Sequence, residues 1–221
     1  MTEQLSHSAG EDKDGLKPSV VERPAVGRRR GFRWFVPLGI ALALIGVIAL
    51  FAFGLIKSAQ GTNLVSDIAA GKKPSAPALS LQAFWPTGSP PSPAVARAIK
   101  GGVLELDRLR GHPVVVNFWA SWCIACRAEA KLLTTAAATN PRVVFIGVDV
   151  QDLRSYAIGF LSHYGVTYTA VSDKTNSTYE SYGLTGVPET YYLDRHGRIV
   201  AHDPGAVSVA SLHGGIRKAS G

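Results

Sequence analysis

Between Trp34 and Ile56 the chain reads "WFVPLGIALALIGVIALFAFGLI", without one charged side chain. At about 1.5 Å per residue, such a run as a single helix spans roughly 35 Å, enough to cross a bilayer with some tilt. Pro37 stands near its start, where a helix tolerates proline. A run this long and unbroken is a poor match for a buried core helix. The pattern then changes. Residues 57–76, with "AGKKPSAP", are small and polar and read as a linker. From residue 77 to residue 221 the pattern is that of a globular domain. "ALSLQAF" alternates and predicts a strand, "WPTGSPPSP" a loop, and "GGVLELDRLRG" a short strand followed by a turn. "HPVVVNFWA" and "RVVFIGVDV" are apolar and β-branched, as buried central strands are. Between them, Cys126–Ala138 is rich in Ala, Leu, Glu and Lys and predicts a helix stopped by Asn140 and Pro141. Leu153–Tyr164 predicts an amphipathic helix ended by Gly165, "VTYTAVS" a strand, and Ser177–Tyr182 a short helix ended by Gly183. "ETYYLDRHGRIVAHD" predicts a hairpin that turns near Arg195, His196 and Gly197. Val207–Lys218 predicts a last helix, weakened by Gly214 and Gly215. Two buried strands joined by a helix make a βαβ unit, and the hairpin closes the sheet. The expected class is α/β, with a central mixed sheet flanked by helices.

Charge adds an orientation. Arg28, Arg29, Arg30 and Arg33 crowd the N-terminal flank of the apolar run, and only Lys57 follows it at once. The positive-inside rule then places residues 1–33 in the cytoplasm and 57–221 outside. Residues 1–27 are polar, with Gly10, Gly15, Pro18 and Pro24, and residues 1–33 read as a disordered tail. The run is longer than a signal-peptide core, and "IKSAQG" lacks a small-x-small cleavage site, so 34–56 reads as an uncleaved transmembrane anchor. The expected location is the cell (inner) membrane, single-pass, with the domain facing the periplasm or cell exterior. The net charge is +7, but no Lys/Arg-dense stripe follows the anchor, which argues against a nucleic-acid partner.

The chain has two cysteines, both in "NFWASWCIACRAE", Asn117–Glu129. A loop this small removes little unfolded-state entropy, so Cys123 and Cys126 make a poor structural staple. A metal site needs about four ligands; His163, His196 and His202 show no paired ligand spacing, and His112, closest in sequence, precedes a strand. A C-x-x-C after a buried strand and opening a helix is a thioredoxin-like redox signature. The helix N-terminus carries partial positive charge and unpaired N–H groups, which stabilise a thiolate. Cys123, at the accessible end, is the expected nucleophile. Cys126, one turn in, is expected to resolve the mixed disulfide. Trp122 and Trp119 are expected to cover one side. In "TGVPET", Pro188 begins a predicted strand. X-Pro is the common place for a cis bond, and a plain turn proline is the alternative.

Together, "NFWASWCIACRAE" and "GVPET" resemble the TlpA/ResA/CcmG (DsbE) family of membrane-anchored thioredoxin-like thiol–disulfide oxidoreductases. "LRGHPVVVNFWASWC" is similar to that group's approach to its active site, and the resemblance covers roughly residues 77–205. It implies a thioredoxin-like fold, Cys123 and Cys126 as the redox pair, and Pro188 as a cis-proline facing them. It implies that the backbone of Val187 pairs with a substrate strand. It implies no cofactor beyond the redox-active disulfide, and a reductase of extracytoplasmic thiols. The commonest such job is cytochrome c maturation by reduction of the C-x-x-C-H thiols of apocytochrome c. Electrons would come from a membrane partner of the DsbD/CcdA type. Asn117 stands where thioredoxins themselves carry a buried Asp. Asn cannot take a proton, so another group must assist Cys126. Glu129 and Glu189 are the candidate acidic neighbours, with a solvated carboxylate as the alternative for each. A carboxylate near both thiols would disfavour the thiolate. Ala125 replaces the Pro that many members carry inside the pair, and a Pro around Ala130 is also missing. Two other functions stay open. One is general exchange or a disulfide-forming oxidase, since the chemistry runs both ways. The other is a membrane-tethered module that binds a metal or a partner, with incidental cysteines.

Overall fold

The computed structural model describes residues 35–86 and 92–221, and within the first helix the side chains of 38–54 and from Leu64 on. The tail read from residues 1–33, the residue Trp34, and residues 87–91 of the expected loop lie outside them. Helix α1, Phe35–Ala69, contains most of the apolar run. Among the described residues no helix is long and apolar enough to cross a membrane. The run extends past its described side chains at both ends. α1 also continues beyond Ile56, so the segment read as a linker is helical up to Ala69. The reason lies in "NLVSDIA": Leu64 and Ile68, four apart, share one face and pack on the main apolar core.

The unit Val47–Gly221 holds the sheet. Its elements follow in order: β1 Ser80–Trp85, α2 Pro93–Ala98, β2 Ile99–Lys100 and β3 Val103–Glu105. A 3-10 turn, Leu106–Leu109, leads to β4 Val114–Trp119, α3 Ile124–Thr139 and β5 Val144–Val150. Then come α4 Arg154–His163, β6 Thr169–Asp173, α5 Ser177–Ser181, β7 Glu189–Leu193, β8 Ile199–Pro204 and α6 Val209–Ser220. The sheet order is β2-β3-β1-β6-β5-β4-β7-β8. β4, β5 and β6 are parallel, joined by α3 and α4, while β1 and the β7–β8 hairpin run antiparallel. This is the expected mixed sheet. α2 and β2 are additions ahead of the expected short strand, which is β3, in a stretch that reads as loop. Ser92 caps α2, its side chain accepting from Val95 N, and Pro93 opens it, a start that requires no N–H from proline.

β4 is buried at all six positions. With a period of two, Val114, Val116 and Phe118 enter the main core. Val115 enters a second core with Leu133 of α3 and Leu212 and Ile216 of α6. α3 buries Cys126, Glu129, Ala130, Leu133 and Ala136, one helical stripe, against that second face. α6 closes over β7, where Gly215 meets the ring of Tyr192, whose hydroxyl donates to Asp203 Oδ2 at 2.7 Å.

The two glycines of α6 separate two effects. A Cβ on Gly215 falls inside the contact distance of the buried Tyr192 ring, whereas Gly214 meets nothing closer than 3.9 Å. Replacing a helical Gly by Ala gains up to about 1 kcal/mol of propensity, while overpacking costs about 1–3 kcal/mol. Gly215→Ala should therefore lower stability and Gly214→Ala raise it, by denaturant titration. Equal shifts in the two variants would contradict this packing.

Candidate active site

β4 delivers the reactive pair. It ends at Trp119, the chain turns through Ala120, Ser121 and Trp122, and α3 begins at once. Arg127 donates to the Ser121 carbonyl, and Ser121 N donates to Asp152 Oδ2 at 2.6 Å, which fix the turn. Cys123 is the N-cap of α3: its Sγ accepts the backbone N–H of Cys126 at 3.0 Å. The two cysteines form a disulfide. Their exposures, 5% for Cys123 and 1% for Cys126, keep the expected order, yet both are buried. Trp119 is buried and stacks on Phe160, while Trp122 is 54% exposed and donates from Nε1 to the Gln151 carbonyl.

The second half of the site comes from the loop before β7. The Val187–Pro188 peptide is cis. The Val187 carbonyl oxygen lies 3.4 Å from Cys123 Sγ. Gly205 N donates to the Pro188 carbonyl at 2.9 Å. Sequence-distant Cys123, Cys126, Val187 and Pro188 thus meet at one point.

Neither acidic candidate is a solvated carboxylate. Glu129 is 2% exposed. Asn117 Nδ2 donates to its Oε1 at 2.9 Å and Val207 N to its Oε2 at 2.7 Å. Asn117 Nδ2 also donates to Thr190 Oγ1 at 3.0 Å. Burial pushes the Glu129 carboxyl up to about 7, against the pull of the Val207 and Asn117 hydrogen bonds, with Asp203 pushing further upward. Glu189, 3% exposed, goes the other way. Burial raises it, but His202 at 2.7 Å, the Thr185 N–H at 3.0 Å and the Tyr191 hydroxyl at 3.2 Å hold it below the usual carboxylate range.

Two residues of this region were not read from the sequence as part of the site. Asp149 is buried at the end of β5, in register with Trp119, and burial with the nearby Asp152 carboxylate raises it to about 7. Its signal was legible: one acid inside the apolar run "VVFIGVDV". His202, weighed only as a metal ligand, is instead the partner of Glu189. Among the described residues no group of three His, Cys, Asp or Glu side chains converges as a metal site. A groove of about 580 Å³, lined by Ser121, Trp122, Arg127, Tyr156 and Phe160 among others, runs along the turn that precedes Cys123 and contains neither cysteine. A larger cleft, about 1020 Å³, includes neither cysteine but reaches Thr185, Glu189 and His202 from behind.

A disulfide capping a helix at the end of a buried parallel strand, opposite a cis-proline, defines a thioredoxin-like thiol–disulfide oxidoreductase. Residues 76–202 match the AhpC/TSA family. A thiol:disulfide interchange protein DsbE homolog of Paracoccus denitrificans is 39% identical over 118 residues, covering 52% of this chain and 64% of that relative's length. The DsbE of Allochromatium vinosum is 36% identical over 172 residues, 77% of this chain and 82% of the relative. The solved structure of Mycobacterium tuberculosis (MTB) DsbF, in mixed oxidised and reduced forms, is 26% identical. It aligns with a TM-score of 0.54 over 64% of this chain and 95% of its own. The chain belongs to the AhpC/TSA family, and within it to the thiol:disulfide interchange proteins of the DsbE (CcmG) group.

The raised carboxyl of Glu129 has a definite pH sign. Its protonated form is favoured by the fold, so the native chain holds more protons than the unfolded chain between roughly pH 4.5 and 7. Stability from this group is full below that window and is lost as pH rises through it. Glu129→Gln removes the titration. Its stability relative to wild type should improve across the window by up to about 3 kcal/mol, followed by urea unfolding at successive pH values. A difference independent of pH would show that the buried carboxyl does not titrate there.

Proposed function

We propose that the protein is an extracytoplasmic reductase of protein disulfides, acting in cytochrome c maturation on the cysteines of apocytochrome c. The observation that carries it is the Cys123–Cys126 disulfide capping α3 and facing the Val187 carbonyl. In the reduced protein, the Cys123 thiolate receives the Cys126 N–H and the positive end of α3. It attacks one sulfur of a substrate disulfide; that S–S bond breaks, a mixed disulfide forms, and the departing sulfur takes a proton. Cys126 then loses its proton and attacks Cys123 Sγ. The second substrate thiol leaves, and the protein is left in the oxidised form seen here. A membrane donor of the DsbD/CcdA type would return two electrons and two protons.

Glu129 is the group that assists Cys126. Asn117 cannot accept a proton, but it hydrogen-bonds Glu129, which stands one turn past Cys126 on the same buried face of α3. A carboxyl near 7 is matched to proton exchange at neutral pH. Val187 offers its backbone to an extended substrate at Cys123, and the exposed Trp122 stands next to Cys123 in the chain. The reading of 34–56 as a membrane anchor, with the domain in the periplasm or outside the cell, rests on the uncharged run and the arginines before it. The relatives named thiol:disulfide interchange protein DsbE support the exchange chemistry, and the choice of apocytochrome c rests on the resemblance of "NFWASWCIACRAE" and "GVPET" to the CcmG group.

A trapping experiment tests the function. Cys126→Ser should accumulate a mixed disulfide through Cys123, and mass spectrometry of that complex should find apocytochrome c. Cys123→Ser should trap nothing. Recovery of unrelated secreted proteins alone would remove the cytochrome assignment and keep the exchange chemistry.

A further inference from the structure

We propose that His202 is a positioning residue for substrate pairing: it holds Glu189 in the geometry that fixes the loop carrying Val187. The inference rests on the reading of Val187 as the substrate-pairing backbone. A carboxylate as buried as Glu189 is costly unless its oxygens are bonded. The two oxygens face different ways. Oε1 accepts the Thr185 N–H at 3.0 Å, at the start of the loop. Oε2 takes the Tyr191 hydroxyl at 3.2 Å and His202 Nε2 at 2.7 Å. The loop is therefore tied at one end through Glu189 and at the other by Gly205 N on the Pro188 carbonyl, with Gly186 and Val187 between the ties.

His202 is well placed for this. In the β7–β8 register it lies opposite Tyr191, with Glu189 opposite Pro204, so His202 and Glu189 are diagonal neighbours within reach of long side chains. Its ring stacks on Tyr191 at 4.2 Å between centroids and 21° between planes, which fixes where Nε2 points. It is the shortest of the three contacts to Glu189. Behind the pair, the cleft of about 1020 Å³ borders Thr185, Glu189 and His202. Without His202, the Glu189 carboxylate keeps one bond on its Oε2 side and has space to turn into. The Thr185 N–H then loses its acceptor, and Val187 loses its fixed position opposite Cys123.

The test compares His202→Ala with His202→Gln in the full chain, pre-reduced. The substrates are an oxidised C-x-x-C-H peptide and the small disulfide 5,5′-dithiobis(2-nitrobenzoate), which needs no strand pairing. Gln places an amide N–H at about the reach of Nε2, but it does not titrate. His202→Ala should lower kcat/KM for the peptide by about tenfold, mainly through KM, and by about fivefold more than for the small disulfide. His202→Gln should recover at least half of the loss. Peptide rates unchanged in His202→Ala would overturn the proposal, as would equal losses on both substrates. So would failure of a His202→Gln variant that melts with the wild type to recover anything. Wild-type protein that reduces the small disulfide but not the peptide would remove the pairing reading, and this proposal with it. Wild-type protein inert to both would remove the oxidoreductase reading itself.

Discussion

One buried amide holds the site together. β4 is buried on both faces, and Asn117 is its polar side chain. Its Nδ2 reaches Glu129 on α3 and Thr190 on β7 at once. Those two elements carry the two halves of the chemistry: α3 the cysteines, β7 the segment after Pro188. An amide donates both bonds without a charge, which a carboxylate in its place could not do. The acid is thereby moved off the strand and onto the helix, one turn from the resolving cysteine. On the proposed reading, Glu129, on the other side of the same hydrogen bond, serves in place of the missing strand acid.

The two glutamates show how burial alone decides nothing. Both are nearly inaccessible, yet one is pushed up and the other held down. Glu129 accepts two N–H bonds, and its neighbouring charge is the acidic Asp203. Glu189 faces an imidazole, a hydroxyl and an N–H. The first is suited to exchanging a proton near neutral pH, and the second to staying ionised as a structural acceptor. Their chemistry differs because their partners differ, although each lies close to the disulfide or its facing loop.

Much of this was legible in the chain. The buried strands announced themselves as apolar β-branched runs, and the cysteine pair and Pro188 as short motifs whose spacing survives any detail of packing. What was lost shares one cause: partners far apart in sequence. Nothing near Glu129 indicates that Val207 will donate to it. His202 was weighed for metal spacing because only the register of β7 against β8 brings it to Glu189. Helix α2 was hidden in a Pro- and Ser-rich stretch, although Ser92 and Pro93 spell a helix start. The continuation of α1 was hidden by small polar residues, although Leu64 and Ile68 mark a packed face.

The central claim is that Cys123 and Cys126 form a reducing couple, and the equilibrium reduction potential of that couple tests it most directly. It is measured by titrating the full chain against a glutathione or dithiothreitol buffer and following the disulfide. The account predicts a value well below about −200 mV, toward the roughly −270 mV of thioredoxin. A value near −120 mV, that of a strong oxidant, would contradict it and make the protein a donor of disulfides.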